Sequence, residues 1–261
     1  MKPTPTVYKL LNLAQSAAKA IMAIYATDFS TRSKSDHSPV TQADEKAEVI
    51  ILEGLKEFWP DIPVIAEEAA AAGQVPTFQN KFFLVDPLDG TKEFVSRNGE
   101  FTVNIALIEN GKPILGVVYA PAIDLIYWGE AGLGSAKAML KPDDALSAAN
   151  WQKIQTRPLP QEGATVLASR SHRDAETDSY LSTIKVNQLI GAGSSLKFCT
   201  IAAGEADLYP RFGRTMEWDT AAGHAVLAAA GGTVSQVDGS PLLYGKRERG
   251  FDNPAFIASA Q

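Results

Sequence analysis

The chain has little with which to build a thiolate or disulfide framework: its 261 residues include one cysteine, Cys199, and three histidines. A lone cysteine closes no internal disulfide and supplies no zinc cluster, so any bound metal must take oxygen or histidine ligands. Positive charge is also short. Lys and Arg number 24 against 30 Asp and Glu, a formal net charge of −6, which argues against a general nucleic-acid binder neutralising phosphates. A long apolar run is missing from the start, where Asn12, Gln15, Ser16 and Lys19 interrupt the apolar residues well short of the about 20 needed to span a bilayer. The expectation is neither a leader peptide nor a membrane helix, and a reducing, cytoplasmic setting. No Gly-x-Gly-x-x-Gly follows a predicted strand, and Gly193-Ser194-Ser195-Leu196-Lys197 lacks Walker spacing, which disfavours dinucleotide enzymes and P-loop ATPases. What is present, 45% hydrophobic and 21% charged residues, is the balance of a folded globular chain with no repeat of fixed period.

Val7, Leu10, Leu11, Ala14, Ala17, Ala18, Ile21 and Tyr25 recur at helical steps and predict a first helix. A second should start at Thr41, bury Ala47, Ile50, Ile51, Leu55 and Phe58, and stop before Trp59-Pro60. Strands are predicted over 62–66, 81–85, 102–108 and 114–119, the last two joined by a Glu109-Asn110-Gly111-Lys112 hairpin turn. The first half therefore reads as α+β with antiparallel pairing. Residues 138–163, rich in Ala, Pro, Gln and Asp, form a boundary or surface excursion. Beyond it, strands at 165–168 and 186–190 alternate with helices near 175–184, 198–203 and 220–230, as in an α/β unit.

The acids carry the chemistry. Asp86 and Asp89 are expected on a turn just past a strand end, stiffened by Pro87 and bent at Gly90, so that both carboxylates converge. Two nearby carboxylates repel unless a cation intervenes, and Mg²⁺ suits hard oxygen ligands. Glu67-Glu68 follows another apolar run, and Asp219 precedes a helix where an ordinary N-cap explains it equally well. Asp44 lies three residues after Thr41, as in a capping box, and Thr91 opens a helix where amides and a hydroxyl can hold a phosphate. Each has a structural explanation taken singly: an exposed turn, a solvated pair or a cap.

Taken in order, Val40-Thr41-Gln42-Ala43-Asp44, Glu67-Glu68, Asp86-Pro87-Leu88-Asp89-Gly90-Thr91 and Trp218-Asp219-Thr220-Ala221-Ala222-Gly223 resemble the inositol monophosphatase superfamily of magnesium-dependent, lithium-sensitive phosphatases. The aspartate motif continues Lys92-Glu93-Phe94, as in its bisphosphate nucleotidases, and Ser169-Arg170-Ser171-His172, the Gly193–Cys199 segment and Leu208-Tyr209-Pro210-Arg211-Phe212-Gly213 look like those enzymes too. The resemblance implies that Glu67, Asp86, Asp89, Asp219 and the Leu88 carbonyl ligate two or more Mg²⁺ ions. It implies that Asp44 and Thr91 activate the water. It places substrate against Glu67, Leu88, Asp89, Gly90, Thr91 and Asp219, with Ser169, His172, Gly193 and Lys197 matching nucleotide contacts. Lys197 would pair with the retained 5′-phosphate. His224 reads as structural and His37 has no role. Arg214 departs from a position where proline is as common, and Trp128, Trp218 and Phe198 are candidates to stack on a base.

The implied fold is a layered αβαβα sandwich combining α+β and α/β parts, of the inositol monophosphatase and fructose-1,6-bisphosphatase type. Residues 1–140 would form an α+β half with most ligands, and 141–261 a smaller α/β half bearing Asp219. The implied activity is hydrolysis of the 3′-phosphate of adenosine 3′,5′-bisphosphate to AMP, with its sulfated relative as a second substrate, in sulfur assimilation. An inositol or sugar phosphatase on the same metal core, and a non-catalytic nucleotide or metal binder, are the alternatives. The partner is a small molecule. The implied state is monomer or homodimer, with membrane contact at most peripheral on the cytoplasmic face of the inner membrane, since no basic anchor is present.

Overall fold

The computed structural model describes residues 1–29, 31–33, 39–169 and 175–260. Helix α1 (Pro5–Tyr25) starts where the Thr4 hydroxyl accepts from the Val7 amide at 3.2 Å, with Pro5 in the first turn where its missing N–H is not needed. Its predicted stripe from Val7 to Ile21 is buried. Strands β1 (Thr31–Ser33) and β2 (Pro39–Thr41) pair antiparallel and lead into α2 (Gln42–Phe58), capped by Thr41 as expected. Ala47, Ile51 and Leu55 are buried, Ile50 and Phe58 only half so, and two acids, Asp44 and Glu48, lie inside.

The first sheet holds, side by side in chain order, β3 (Val64–Ala66), β4 (Lys81–Asp89), β5 (Thr102–Glu109), β6 (Lys112–Ala120), β7 (Leu125–Glu130), β8 (Gly134–Met139) and β9 (Gln152–Ile154). Short helices α3 (Glu67–Ala71) and α4 (Thr91–Val95) follow β3 and β4. β3 runs parallel to β4, and the other neighbours are antiparallel. The β5–β6 hairpin turns at Asn110 and Gly111, with φ of 52 and 75, the left-handed pair a two-residue turn requires. After the excursion at 140–151 the chain returns to this sheet as β9, so the sheet extends past the expected division after residue 140.

One expectation is corrected. Strand β4 does not end at Val85 with its acids on a turn: Asp86 pairs with Asn104 and Asp89 with Thr102, with a register shift between them. Pro87 has no N–H to give the ladder, so the intervening residues bulge while both acids stay in the sheet.

The second sheet contains β10 (Ala164–Ser169), β11 (Val186–Ala192), β12 (Leu208–Arg211), β13 (Thr233–Gln236) and β14 (Phe256–Ser259), in the order β11-β10-β12-β14-β13. β11, β10 and β12 are parallel, and β14 is antiparallel to both its neighbours. Helix α5 (Ala175–Leu181) is shorter than predicted, while α6 (Leu196–Ala202) and α7 (Glu217–Ala229) match closely. α1 and α2 cover one face of the first sheet, α6 and α7 fill the space between the sheets, and α5 lies against β12, giving the αβαβα layers. Glycines set the central spacing. A Cβ on Gly116 of β6 would stand 2.4 Å from the Ala222 carbonyl oxygen, and one on Gly129 of β7 would stand 2.6 Å from the Val226 Cα. Their absence lets α7 lie flat on the sheet, which delivers its N-terminal turn to the acids of β4.

Candidate active site

Asp44 lies in the first turn of α2, where its Oδ2 accepts from the Thr41 amide at 2.8 Å and the Thr41 hydroxyl at 2.7 Å. Its other oxygen is used differently. Oδ1 accepts from the Thr91 hydroxyl at 3.1 Å, and the Leu88 carbonyl stands 3.3 Å from the same hydroxyl. A hydroxyl has one proton, so these two acceptors compete for it. Burial raises the Asp44 pKa against the lowering effect of the Thr41 bonds, and the Glu67 charge adds to the rise. Gly90 makes the dyad possible: as the left-handed cap of α4, with φ of 90, it turns the chain sharply between Asp89 and Thr91.

Glu67 opens α3, whose next two amides, of Glu68 and Ala69, donate to the buried Glu48 carboxylate at 2.8 and 2.9 Å. Glu48 thus anchors α3 from α2. In β4 the Asp86 Oδ1 accepts from the Leu88 amide at 3.0 Å, and Asp86 also meets Glu67 side chain to side chain. Burial pushes Asp86 well above the usual carboxylate range, and Glu67, Asp89 and Asp219 push it further. Asp219 sits in the first turn of α7 and not before it, its Oδ2 accepting from the Met216 amide at 2.8 Å. The residue caps from inside the helix because the chain turns helical at Glu217. Burial, then Asp89 and Glu67, raises its pKa as well. Asp89 rises to about 6 through burial, opposed chiefly by Lys197 and by the Ser195 amide, which donates to its Oδ2 at 2.7 Å.

These acids fit a hard cation. Two ionised carboxylates meeting as Asp86 and Glu67 do are tolerable only when a proton or a cation stands between them. All the donors are oxygens, as such an ion requires. Among the described residues no three acids, histidines or cysteines converge at ligand spacing.

Asp89, Thr91, Glu67 and Asp219 line a cleft of about 410 Å³ between the two sheets. Its wall also carries Lys92, Lys197, Arg211 and Arg214. Lys197 and Arg211 are 5% and 8% exposed, so two like charges are buried in one cleft. The Lys197 ammonium donates to the Ala192 and Ser194 carbonyls at 3.1 and 2.8 Å and stands 5.1 Å from the Tyr209 ring centroid. Burial brings its pKa down to about 8, with Asp89 pulling it up and Arg211 down.

Other predicted residues fall as follows. Gly193 lines the cleft, but its amide is taken by Glu100 Oε2 at 2.8 Å. Ser169 ends β10, and His172 and His37 lie outside the described residues. Trp128 is wholly buried in the core beneath α1 and α2 and stacks on no substrate. Trp218 packs on Phe251, away from the cleft lining, whereas Phe198 borders the cleft. Arg214 is largely exposed and pairs with Asp252 at 2.7 Å. His224 is structural as expected: its Nδ1 lies 3.0 Å from the Tyr244 hydroxyl, and burial lowers its pKa to about 3. Sequence reasoning gave no role to Glu48, Asn104, Ser195 or Arg211. Arg211 and Ser195 carried a signal, as members of the Leu208–Gly213 and Gly193–Cys199 segments; Glu48 and Asn104 act through contacts far apart in the chain.

A model of the inositol monophosphatase family matches residues 4–259. The 3′(2′),5′-bisphosphate nucleotidase CysQ of Escherichia coli K12 is 47% identical over 96% of this chain and 98% of its own. The Salmonella typhimurium protein of that name is 48% identical over 95% and 97%. Among solved structures, CysQ from Bacteroides thetaiotaomicron gives a TM-score of 0.80 at 37% identity, covering 97% of this chain and 96% of that one. No described helix is long and apolar enough to cross a membrane. With the motifs, the layered fold and these likenesses in agreement, the chain belongs to the inositol monophosphatase family.

Proposed function

We infer that the protein is a metal-dependent 3′(2′),5′-bisphosphate nucleotidase that removes the 3′-phosphate of adenosine 3′,5′-bisphosphate, giving AMP and phosphate. Relatives 47–48% identical over nearly the whole chain carry that activity in their name. The observation that carries the reading is the presence of both signs of charge in one cleft. Glu67, Asp89 and Asp219, which repel one another, line it together with the buried Lys197 and Arg211, and Asp89 and Lys197 attract. A substrate with two phosphates engages both sets, one through metal and one directly; a lone sugar phosphate engages one.

Glu67, Asp86, Asp89, Asp219 and the Leu88 carbonyl would hold two or more Mg²⁺ ions, and the chemistry supplied there would be a lowered pKa for the attacking water and offset charge on the phosphoryl and leaving oxygens. The chain's own residues do the rest. Asp44 accepts the Thr91 proton, which turns the Thr91 lone pairs toward the water and orients it for in-line attack. The Gly90 and Thr91 amides hold phosphate oxygens. Lys197 keeps one N–H for the retained 5′-phosphate after its two carbonyl bonds, and Arg211 joins it. Gly193 shapes the wall, and Ser169 and His172 contact the nucleoside. The 3′-phosphorylated 5′-phosphosulfate of adenosine, a mixed phosphate–sulfate anhydride, is a second substrate, because it keeps the same 3′-phosphate and an anionic 5′ group. The enzyme works in the cytoplasm as a monomer or homodimer, with residues 1–140 and 141–261 as its two halves.

The test is phosphate release from adenosine 3′,5′-bisphosphate and from inositol 1-phosphate side by side, with Mg²⁺, with EDTA and with added Li⁺. The expected result is preference for the bisphosphate, suppressed by EDTA and Li⁺. Preference for inositol phosphate would keep the metal core and overturn the role of the cationic part, and no release from either would overturn the enzyme reading.

A further inference from the structure

Strand β5 faces both acids of β4: Asn104 pairs with Asp86 and Thr102 with Asp89. The Thr102 hydroxyl donates to Asn104 Oδ1 at 3.1 Å, which fixes which way the amide points. Asn104 Nδ2 then donates to Ser195 Oγ at 2.9 Å and to Asp89 Oδ2 at 3.3 Å. Ser195 completes the line. Its hydroxyl donates to the Asp219 carbonyl at 2.6 Å, and its amide donates to Asp89 Oδ2 at 2.7 Å. The donors thus run one way, from Thr102 to Asn104 to Ser195 to the first turn of α7. Asn104, Thr102 and Ser195 are each 1% exposed or less, so water does not substitute for any of these bonds.

We propose that Asn104 and Ser195 form a positioning tie that sets the separation of Asp89 and Asp219 across the two halves of the molecule, and so sets divalent-cation affinity. The two acids stand on different layers, β4 and α7, and repel one another. Left to that repulsion, the two would spread. Ser195 sits at the start of α6 and touches both, holding Asp89 through its amide and the turn bearing Asp219 through its hydroxyl. With Asp89 Oδ2 occupied by two donors, Oδ1 is the oxygen left to face a ligand. Neither residue touches the reacting atoms; both act through the acids. The proposal rests on the metal reading above.

The test is Mn²⁺ binding to the full chain without substrate, followed by electron paramagnetic resonance, with the melting temperature of the metal-free protein measured alongside. Ser195→Ala removes the hydroxyl but keeps the amide. Measured well below the melting temperature of either protein, Mn²⁺ binding should weaken about 10-fold, as on loss of an outer partner of a ligand, while the metal-free melting temperature falls by only a few degrees for the buried bonds lost. Asn104→Ala should weaken binding by a similar factor, and the double variant should be little weaker than either single one, because both changes break one line of bonds. Unchanged affinity in Ser195→Ala, losses that multiply in the double variant, or a Ser195→Ala chain that is unfolded without metal at the binding temperature would each overturn the tie. If the parent chain binds Mn²⁺ and Ser195→Ala binds it equally, the tie fails and the metal reading stands; if the parent binds none, the metal reading itself fails.

Discussion

At the scale of the residue, the site is a set of acids kept in an unfavourable state. Burial and then the Glu67 charge raise Asp86, burial and then the Asp89 charge raise Asp219, and burial raises Asp89 to about 6 from an ordinary 3.8. The sign of the consequence follows. A carboxyl whose folded pKa is raised contributes stability that is fully present below about 4 and is lost as pH rises through about 6. Asp89→Asn should therefore abolish turnover yet make the metal-free protein more stable than the parent at pH 8, by about 2 kcal/mol. The gap should close as pH falls below 5. Urea midpoints in EDTA at the two pH values measure this, and comparing parent with variant cancels the opposite contribution of His224, which destabilises as pH falls. A gap independent of pH would show that Asp89 is not held in this state. Local signals placed Asp44, Glu67, Asp89 and Thr91 at element ends marked by Gly and caps, whereas Asp86 lies inside β4, and only the order of the motifs along the chain pointed to a shared site. The purpose of Asn104, a polar residue inside an apolar strand, and of Ser195, at the start of α6, shows only beside their partners on other elements.

At the scale of the element, α7 is the piece on which the site depends most, since it alone carries Asp219. Periodicity located that helix within a few residues. It did not show how closely the helix approaches the sheet, which depends on Gly116 and Gly129 in strands separate from it in the chain. Nor could apolar runs show that β4 continues to Asp89 through a bulge, because Pro87 and Gly90 read locally as a turn. Strands β12, β13 and β14, four residues each, were too short to declare a period. Gly116→Ala tests the close approach: its methyl meets backbone, which cannot swing aside as a side chain can. We expect a loss of about 1–3 kcal/mol in urea unfolding. A neutral substitution would mean that α7 has room to shift and that its contact with β6 does not set the position of Asp219.

At the scale of the whole molecule, folding brings both signs of charge to one cleft. The first sheet and its short helices supply Glu67, Asp89, Lys92 and Glu93; the second layer set supplies Lys197 and Arg211 together with Asp219. The net charge of −6 hides this arrangement, which is visible only after folding. The most direct measurement is the ratio of kcat/KM for adenosine 3′,5′-bisphosphate to that for 3′-AMP, which lacks the 5′-phosphate, in the parent and in Arg211→Gln and Lys197→Met. A charge-assisted contact is worth about 1.5–3 kcal/mol, so the parent should favour the bisphosphate by about 10-fold or more, and each variant should lose most of that preference. Equal kcat/KM for the two substrates in the parent, or a preference that survives in both variants, would contradict the account.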